Sequence, residues 1–306
     1  MKSGVTLKHE IREYLNHLDR VKNYSPHTVA AYGGDLAQFH EFLTRHFETE
    51  QIRPAEIDHV TLRLFLGDLL ENGKSRKSIA RKLSSVRSFF DFMVRRNVIA
   101  HNPGSNVLTP RLPRKLPVFL DEPSIEKMMN LPDTSTVRGL RDRAILELLY
   151  GTGMRLNELV RLDLGSLDLG NNTVKVLGKG SKERIVPLGR KAKDALKAYL
   201  ARRVEGAARG PGGDEAVFIN KSGKRIYPRA VYRIVNHYIS VASDVRKKSP
   251  HVLRHTFATH MVNRGADLRA VKELLGHESL STTQLYTHVT VDRLKRIYKQ
   301  AHPKAQ

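Results

Sequence analysis

The 306-residue chain carries 53 lysines and arginines against 31 acids, a formal charge of +22 and a pI near 10.2, so a polyanionic partner is expected, nucleic acid first. It contains no cysteine, which excludes disulfides, thiolate metal sites and cysteine nucleophiles together. The opening residues turn polar too soon for a secretory signal, and no apolar run approaches the roughly 20 residues of a membrane span, so a cytoplasmic protein without a membrane partner is expected.

In chain order, Val29, Tyr32, Leu36, Phe39 and Leu43 alternate spacings of three and four and predict a helix over residues 25–46 behind Ser25-Pro26. Gly33 and Gly34 interrupt it, each at a cost of about 1 kcal/mol relative to alanine, so packing must compensate or the helix must bend. Further helices are predicted over 59–71 and 75–97. The second carries Ile79, Leu83, Val86, Phe90 and Met93 on one face and Arg81, Lys82 and Arg87 on the other. Those cations beside Ser84 and Ser85 would suit a close approach to a phosphate backbone, although a solvated basic face has the same pattern. Residues 103–117 contain Pro110, Pro113 and Pro117 with Arg111, Arg114 and Lys115, and read as a basic linker. It separates a helical unit (1–102) from a second unit (118–288), followed by a tail (289–306) with an apolar stripe at helical spacing. Residues 1–110 hold 16 basic and 12 acidic side chains and residues 111–306 hold 37 and 19, so the second part should make most phosphate contacts.

Beyond the linker, helices are predicted over 139–150 and from about Arg155. Residues 173–177 and 183–188 then suit two strands of a hairpin whose turn carries Lys179 and Lys182. Helices return over 191–203, after Pro228, and over 253–265, 268–275 and 281–286. No cluster of carboxylates suited to metal-dependent strand cleavage stands out. His251 and His255 lack the glutamate of a zinc-peptidase motif, since Val252 stands there, and Gly178-Lys179-Gly180 lacks the Ser or Thr of a phosphate-binding loop. No metal or nucleotide cofactor is expected. The chemistry is left to Arg155, Lys179, His251, Arg254, His277 and Tyr286; taken singly, Tyr286 is an ordinary helix-end tyrosine.

Together these residues resemble the active-site pattern of the tyrosine recombinases, and most closely the bacterial Xer branch. Thr152-Gly153-Met154-Arg155-Leu156-Asn157-Glu158-Leu159 matches the arginine box, Lys179 the hairpin lysine, and His251-Val252-Leu253-Arg254-His255 the H-x-L-R-H box, extended as in Xer proteins by Thr256 to His260. Leu275-Gly276-His277 and Tyr286 complete the set in order. Ser25, Thr28, Tyr32, Asp35, Leu36, Phe39, Phe42 and Leu43 match the family's first domain. Asn157 and Gly33-Gly34 depart from the pattern and bear on local packing more than on chemistry.

The resemblance implies a mainly α fold with a small β-sheet: an N-terminal helical, SAM-like core-binding domain and a C-terminal mixed α/β catalytic domain forming a clamp around DNA. It implies Tyr286 as nucleophile, a 3′-phosphotyrosine intermediate and a free 5′ hydroxyl. Arg155 and Arg254 would grip the non-bridging phosphate oxygens, with Glu158 either orienting Arg155 or merely pairing with it. His251 would assist deprotonation of the phenol, Lys179 would protonate the leaving oxygen, and His277 would donate to a phosphate oxygen, while His255 and His260 stay structural. Implied partners are duplex DNA with paired half-sites, three further protomers of the same or a related recombinase on two duplexes, and, for chromosome or plasmid dimer resolution, a septal DNA translocase. The tail would dock on a neighbouring protomer or fold back on its own domain. The alternatives are a mobile-element integrase or transposon recombinase, a type IB topoisomerase, and a non-enzymatic DNA-binding architectural protein.

Overall fold

The computed structural model describes residues 6–110, 118–178, 183–203, 205, 215–276 and 288–305. Arg111, Arg114 and Lys115, the hairpin turn with Lys179 and Lys182, and the segment with His277, the predicted helix 281–286 and Tyr286 lie outside the described residues. The chain divides into two compact units, residues 1–115 and 116–306.

The first unit has four helices, α1 (Leu7–Arg20), α2 (Pro26–Phe47), α3 (His59–Glu71) and α4 (Arg76–Arg95). Three begin on an N-cap side chain that accepts the third backbone N–H: Ser25 from Thr28, Asp58 from Thr61 and Ser75 from Ser78. The apolar stripes then meet: Leu36, Phe39 and Leu43 of α2, Phe65 and Leu69 of α3, and Leu83, Val86, Phe90 and Met93 of α4 are all buried. α2 stays one helix through Gly33 and Gly34. Leu15 of α1 reaches over Gly33, where a Cβ would lie 3.5 Å from its methyl, so packing compensates there; nothing lies within 4 Å of a Cβ at Gly34. Helix α1 is an element that the periodicity reading passed over.

The second unit packs α5 (Glu122–Asn130), α6 (Val137–Thr152), α7 (Leu156–Val160), α8 (Arg190–Arg202), α9 (Pro228–Ala242), α10 (Pro250–Asn263), α11 (Leu268–Leu275) and α12 (His288–Ala301) with a three-stranded antiparallel sheet. Its strands β1 (Leu167–Asp168), β2 (Thr173–Leu177) and β3 (Glu183–Pro187) lie in that order. Helix α6 is buried along most of its length, the charged Asp142 and Glu147 included, and forms the centre of the core through Ala144, Ile145, Leu146, Leu148, Leu149 and Tyr150. In the hairpin, Val174 faces Val186 and Val176 faces Arg184, all four buried.

Helix α12 lies on its own unit, against β3, α10 and α11, with Leu294, Tyr298 and Ala301 buried. His302 stacks on Tyr298, and Lys304 Nζ donates to Glu147 at 2.8 Å. Leu294, Tyr298 and Ala301 thereby join the buried cluster of this unit. Among the described residues no helix is long and apolar enough to cross a membrane.

Candidate active site

The site is built on helix ends. Helix α6 stops at Gly153, whose φ of 62° is left-handed, and a Cβ there would lie 2.6 Å from the Phe257 ring, so only glycine fits this turn without displacing the core. Helix α11 ends in the same way at Gly276, φ 64°. Such ends expose carbonyls that have no intrahelical donor and carry the negative pole of the helix.

Arginines supply the missing donors. Arg254, in the second turn of α10 and buried, gives Nη1 to the Gly153 carbonyl and Nη2 to the Leu275 carbonyl, both at 2.7 Å. Arg155 gives Nη2 to the next carbonyl, that of Gly276, at 3.3 Å. Arg184, from β3, gives Nε to the preceding one, Leu274, at 3.2 Å. Three successive carbonyls at the end of α11 thus hold three guanidinium groups, immediately before His277 in the sequence. Burial, and then the neighbouring Arg155 charge, bring the Arg254 pKa down to about 10, which still leaves it a cation near neutrality.

Glu158 binds two of these groups. Its Oε1 accepts from Arg155 Nη1 and Arg184 Nη1, both at 2.9 Å; its Oε2 accepts from Arg184 Nη2 at 2.8 Å and from the Arg155 backbone N–H at 2.7 Å. Burial alone would lift the Glu158 carboxyl, but Arg184 and then Arg155 outweigh it and hold the group below the usual carboxylate range. The ion pair with Arg155 weighed from the sequence is therefore present. At the start of α7 this carboxylate takes the Arg155 backbone N–H.

His251 is exposed, three residues before Arg254 in the first turn of α10. His260 is buried, its Nδ1 2.9 Å from the Tyr150 hydroxyl, and Thr256 accepts the Leu120 backbone N–H at 3.0 Å, so both brace α10. Arg184 escaped the sequence reading, although its register gives a signal: a strand position opposite Val176 should be apolar.

In the first unit, Arg81 and Lys82 reach Asp35, with Arg81 Nη2 at 2.6 Å and Lys82 Nζ at 2.9 Å, and the Ser85 hydroxyl donates to it at 2.7 Å. Ser85 is buried, which corrects its expected place beside a phosphate backbone; Ser84 is exposed. Arg87 bonds the Gly104 carbonyl at 2.9 Å, the Val107 carbonyl and the Thr109 hydroxyl, and so fastens the chain after α4. Helix α9 presents exposed Arg229, Tyr232, Arg233 and His237 opposite its buried Val231, Val235 and Ile239, a basic and aromatic face that the sequence reading also missed.

Comparison with known proteins fits this layout. Residues 118–293 match the phage integrase family, and residues 11–97 match the phage integrase N-terminal SAM-like domain. Tyrosine recombinase XerC of Chlorobaculum tepidum is 45% identical over 315 aligned residues, covering 96% of this chain and 94% of that protein. The XerC of Myxococcus xanthus is 43% identical, covering 96% and 98%. A crystal structure of the XerH site-specific recombinase bound to palindromic difH substrate, a post-cleavage complex, matches at a TM-score of 0.69 with 25% identity, covering 98% of this chain and 90% of that one. The architectural-protein alternative falls away, and the chain belongs to the phage integrase family, as a site-specific tyrosine recombinase of the Xer type.

Proposed function

We propose that the chain cleaves and rejoins DNA strands through Tyr286, Arg155, Lys179, His251, Arg254 and His277, in the service of chromosome or plasmid dimer resolution. The observation that carries this is the anchoring of Arg155 and Arg254 on adjacent carbonyls at the end of α11, one residue short of His277. Two fixed cations side by side suit the two non-bridging oxygens of one phosphodiester, and they strengthen as charge gathers on the phosphorane. The Tyr286 oxygen would bond to phosphorus as the bond to the 5′ oxygen breaks. His251 would take the phenolic proton and Lys179 would give one to the leaving oxygen. Attack by a 5′ hydroxyl of another duplex reverses the step and frees the tyrosine, so neither strand exchange nor rejoining needs another energy source.

Contacts by Arg81, Lys82, Arg87, Arg111, Arg114, Lys115 and Lys182 with the duplex belong to the same proposal, as do paired half-sites, a tetramer with like or related protomers, a septal translocase and a cytoplasmic setting. The excess of cations on the second part and the DNA-bound XerH structure support the DNA partner. A nicked suicide half-site run on a denaturing gel tests the core of it. Tyr286→Phe should abolish the covalent adduct and leave half-site binding within about threefold of the parent; an adduct that survives would remove Tyr286 from the role.

A further inference from the structure

Strands alternate their side chains, so the inward positions of β2 and β3 should be apolar. Val174, Val176 and Val186 meet that rule, and Arg184, in the same buried row, breaks it. A well-packed apolar side chain is often at least as stabilising as a buried ion pair, so stability alone does not explain an arginine here. Its bonds suggest another role. Both oxygens of Glu158 receive Arg184, and the Leu274 carbonyl receives its Nε. A Cβ on Gly276 would lie 3.1 Å from Arg184 Cδ, so the arginine also occupies the space beside the turn that leads to His277.

The consequence is electrostatic. With Arg155 as its only partner, the Glu158 carboxylate would aim that guanidinium and also cancel its charge, which a phosphate requires. With Arg184 present, the Glu158 carboxylate is shared between two guanidinium groups, those of Arg155 and Arg184. We infer that Arg184 is a positioning residue for strand cleavage: it balances Glu158, so that the carboxylate orients Arg155 without neutralising the site, and it ties β3 to the end of α11. This rests on the proposal that Arg155 and Arg254 hold the scissile phosphate.

The test compares adduct formation on the nicked suicide half-site with binding to the same duplex, using the full-length protein. Arg184→Met should slow adduct formation about 100-fold, the scale of losing one preorganised cationic contact, with affinity within about threefold of the parent. Adding Glu158→Gln should restore about tenfold, because the unbalanced carboxylate goes too. Arg184→Lys keeps the charge without the fork and should fall between Arg184→Met and the parent. On a methylphosphonate substrate, whose scissile phosphorus bears no charge, the Arg184→Met defect should shrink to about tenfold or less. The inference is overturned if Arg184→Met and Arg184→Lys both cleave within about threefold of the parent, or if the double variant gains nothing over Arg184→Met. Failure of the underlying reading would look different, because Arg155→Ala would then still form the adduct.

Discussion

The two units solve one problem in two ways. Each buries a carboxylate, Asp35 at 2% exposure and Glu158 at 6%, and each carboxylate holds one covered and one half-open cation. In the first unit these are Lys82 at 12% side-chain exposure and Arg81 at 52%; in the second they are Arg184 at 6% and Arg155 at 38%. The difference lies in what else holds the cations. Around Asp35 the third donor is the Ser85 hydroxyl, and the cluster joins α2 to α4. Around Glu158 the arginines also rest on the carbonyls that end α11, so each planar fork is fixed at two points. A carboxylate with side-chain donors stabilises a unit; carboxylate and helix end together fix the direction in which a guanidinium points, which charge stabilisation in a reaction requires.

The largest expected effect breaks both clusters. Asp35→Ala and Glu158→Ala should each cost about 3–5 kcal/mol, because each leaves a covered cation without its counter-charge. The cost should be greater for Glu158→Ala, since Arg184 is more buried than Lys82. Urea unfolding checks this, and equal or negligible losses would put the two clusters on the same footing.

A second effect depends on pH and centres on the second unit. Burial pushes the His302 imidazole down to about 3, among Tyr150, Phe257 and Tyr298. With the folded pKa below the unfolded value of about 6.5, the unfolded chain binds the extra proton. The second unit should therefore keep its full stability above about pH 6.5 and lose about 1.4 kcal/mol per pH unit as pH falls from there toward 3. The carboxyls of Asp35 and Glu158, both held below their usual range by paired cations despite burial, have the same sign but act lower: their stabilisation is present above about pH 4 and is lost as pH falls through their folded values. His302→Asn should flatten the upper part of the acid unfolding curve; an unchanged curve would remove the imidazole as its source.

The smallest effect concerns the half-open cations. Arg81→Ala should cost no more than about 1 kcal/mol of stability, because an exposed pair is screened. If Arg81 also touches a phosphate, the variant should lower the slope of log affinity against log salt by about 1, uniformly across DNA sequences. An unchanged slope would leave Arg81 as a partner of Asp35 only.

Much of this was legible along the chain because helices repeat their apolar contacts locally. The stripe from Leu36 to Leu43, the buried face of α4 and the bounds of α3 and α11 follow from spacing alone. Short pieces such as α5 and the two-residue β1 carry too few repeats to stand out, and α9's exposed face is visible only once its buried face is known. Ser85 went astray because a small polar side chain fits equally well at a phosphate or over a buried carboxylate, and only the arrival of Asp35 from 50 residues away decides between them.

The sequence by itself determined the family, the order of the boxes that resemble its active-site pattern and the excess of cations on the second part, since these are properties of residue type and spacing. Tertiary structure alone decided that Arg184 joins Glu158 across 26 residues and that Arg254 spans carbonyls 101 residues before it and 21 after it. These are pairings between distant segments, set by how a guanidinium finds two acceptors at once in a packed core, and no local pattern records them.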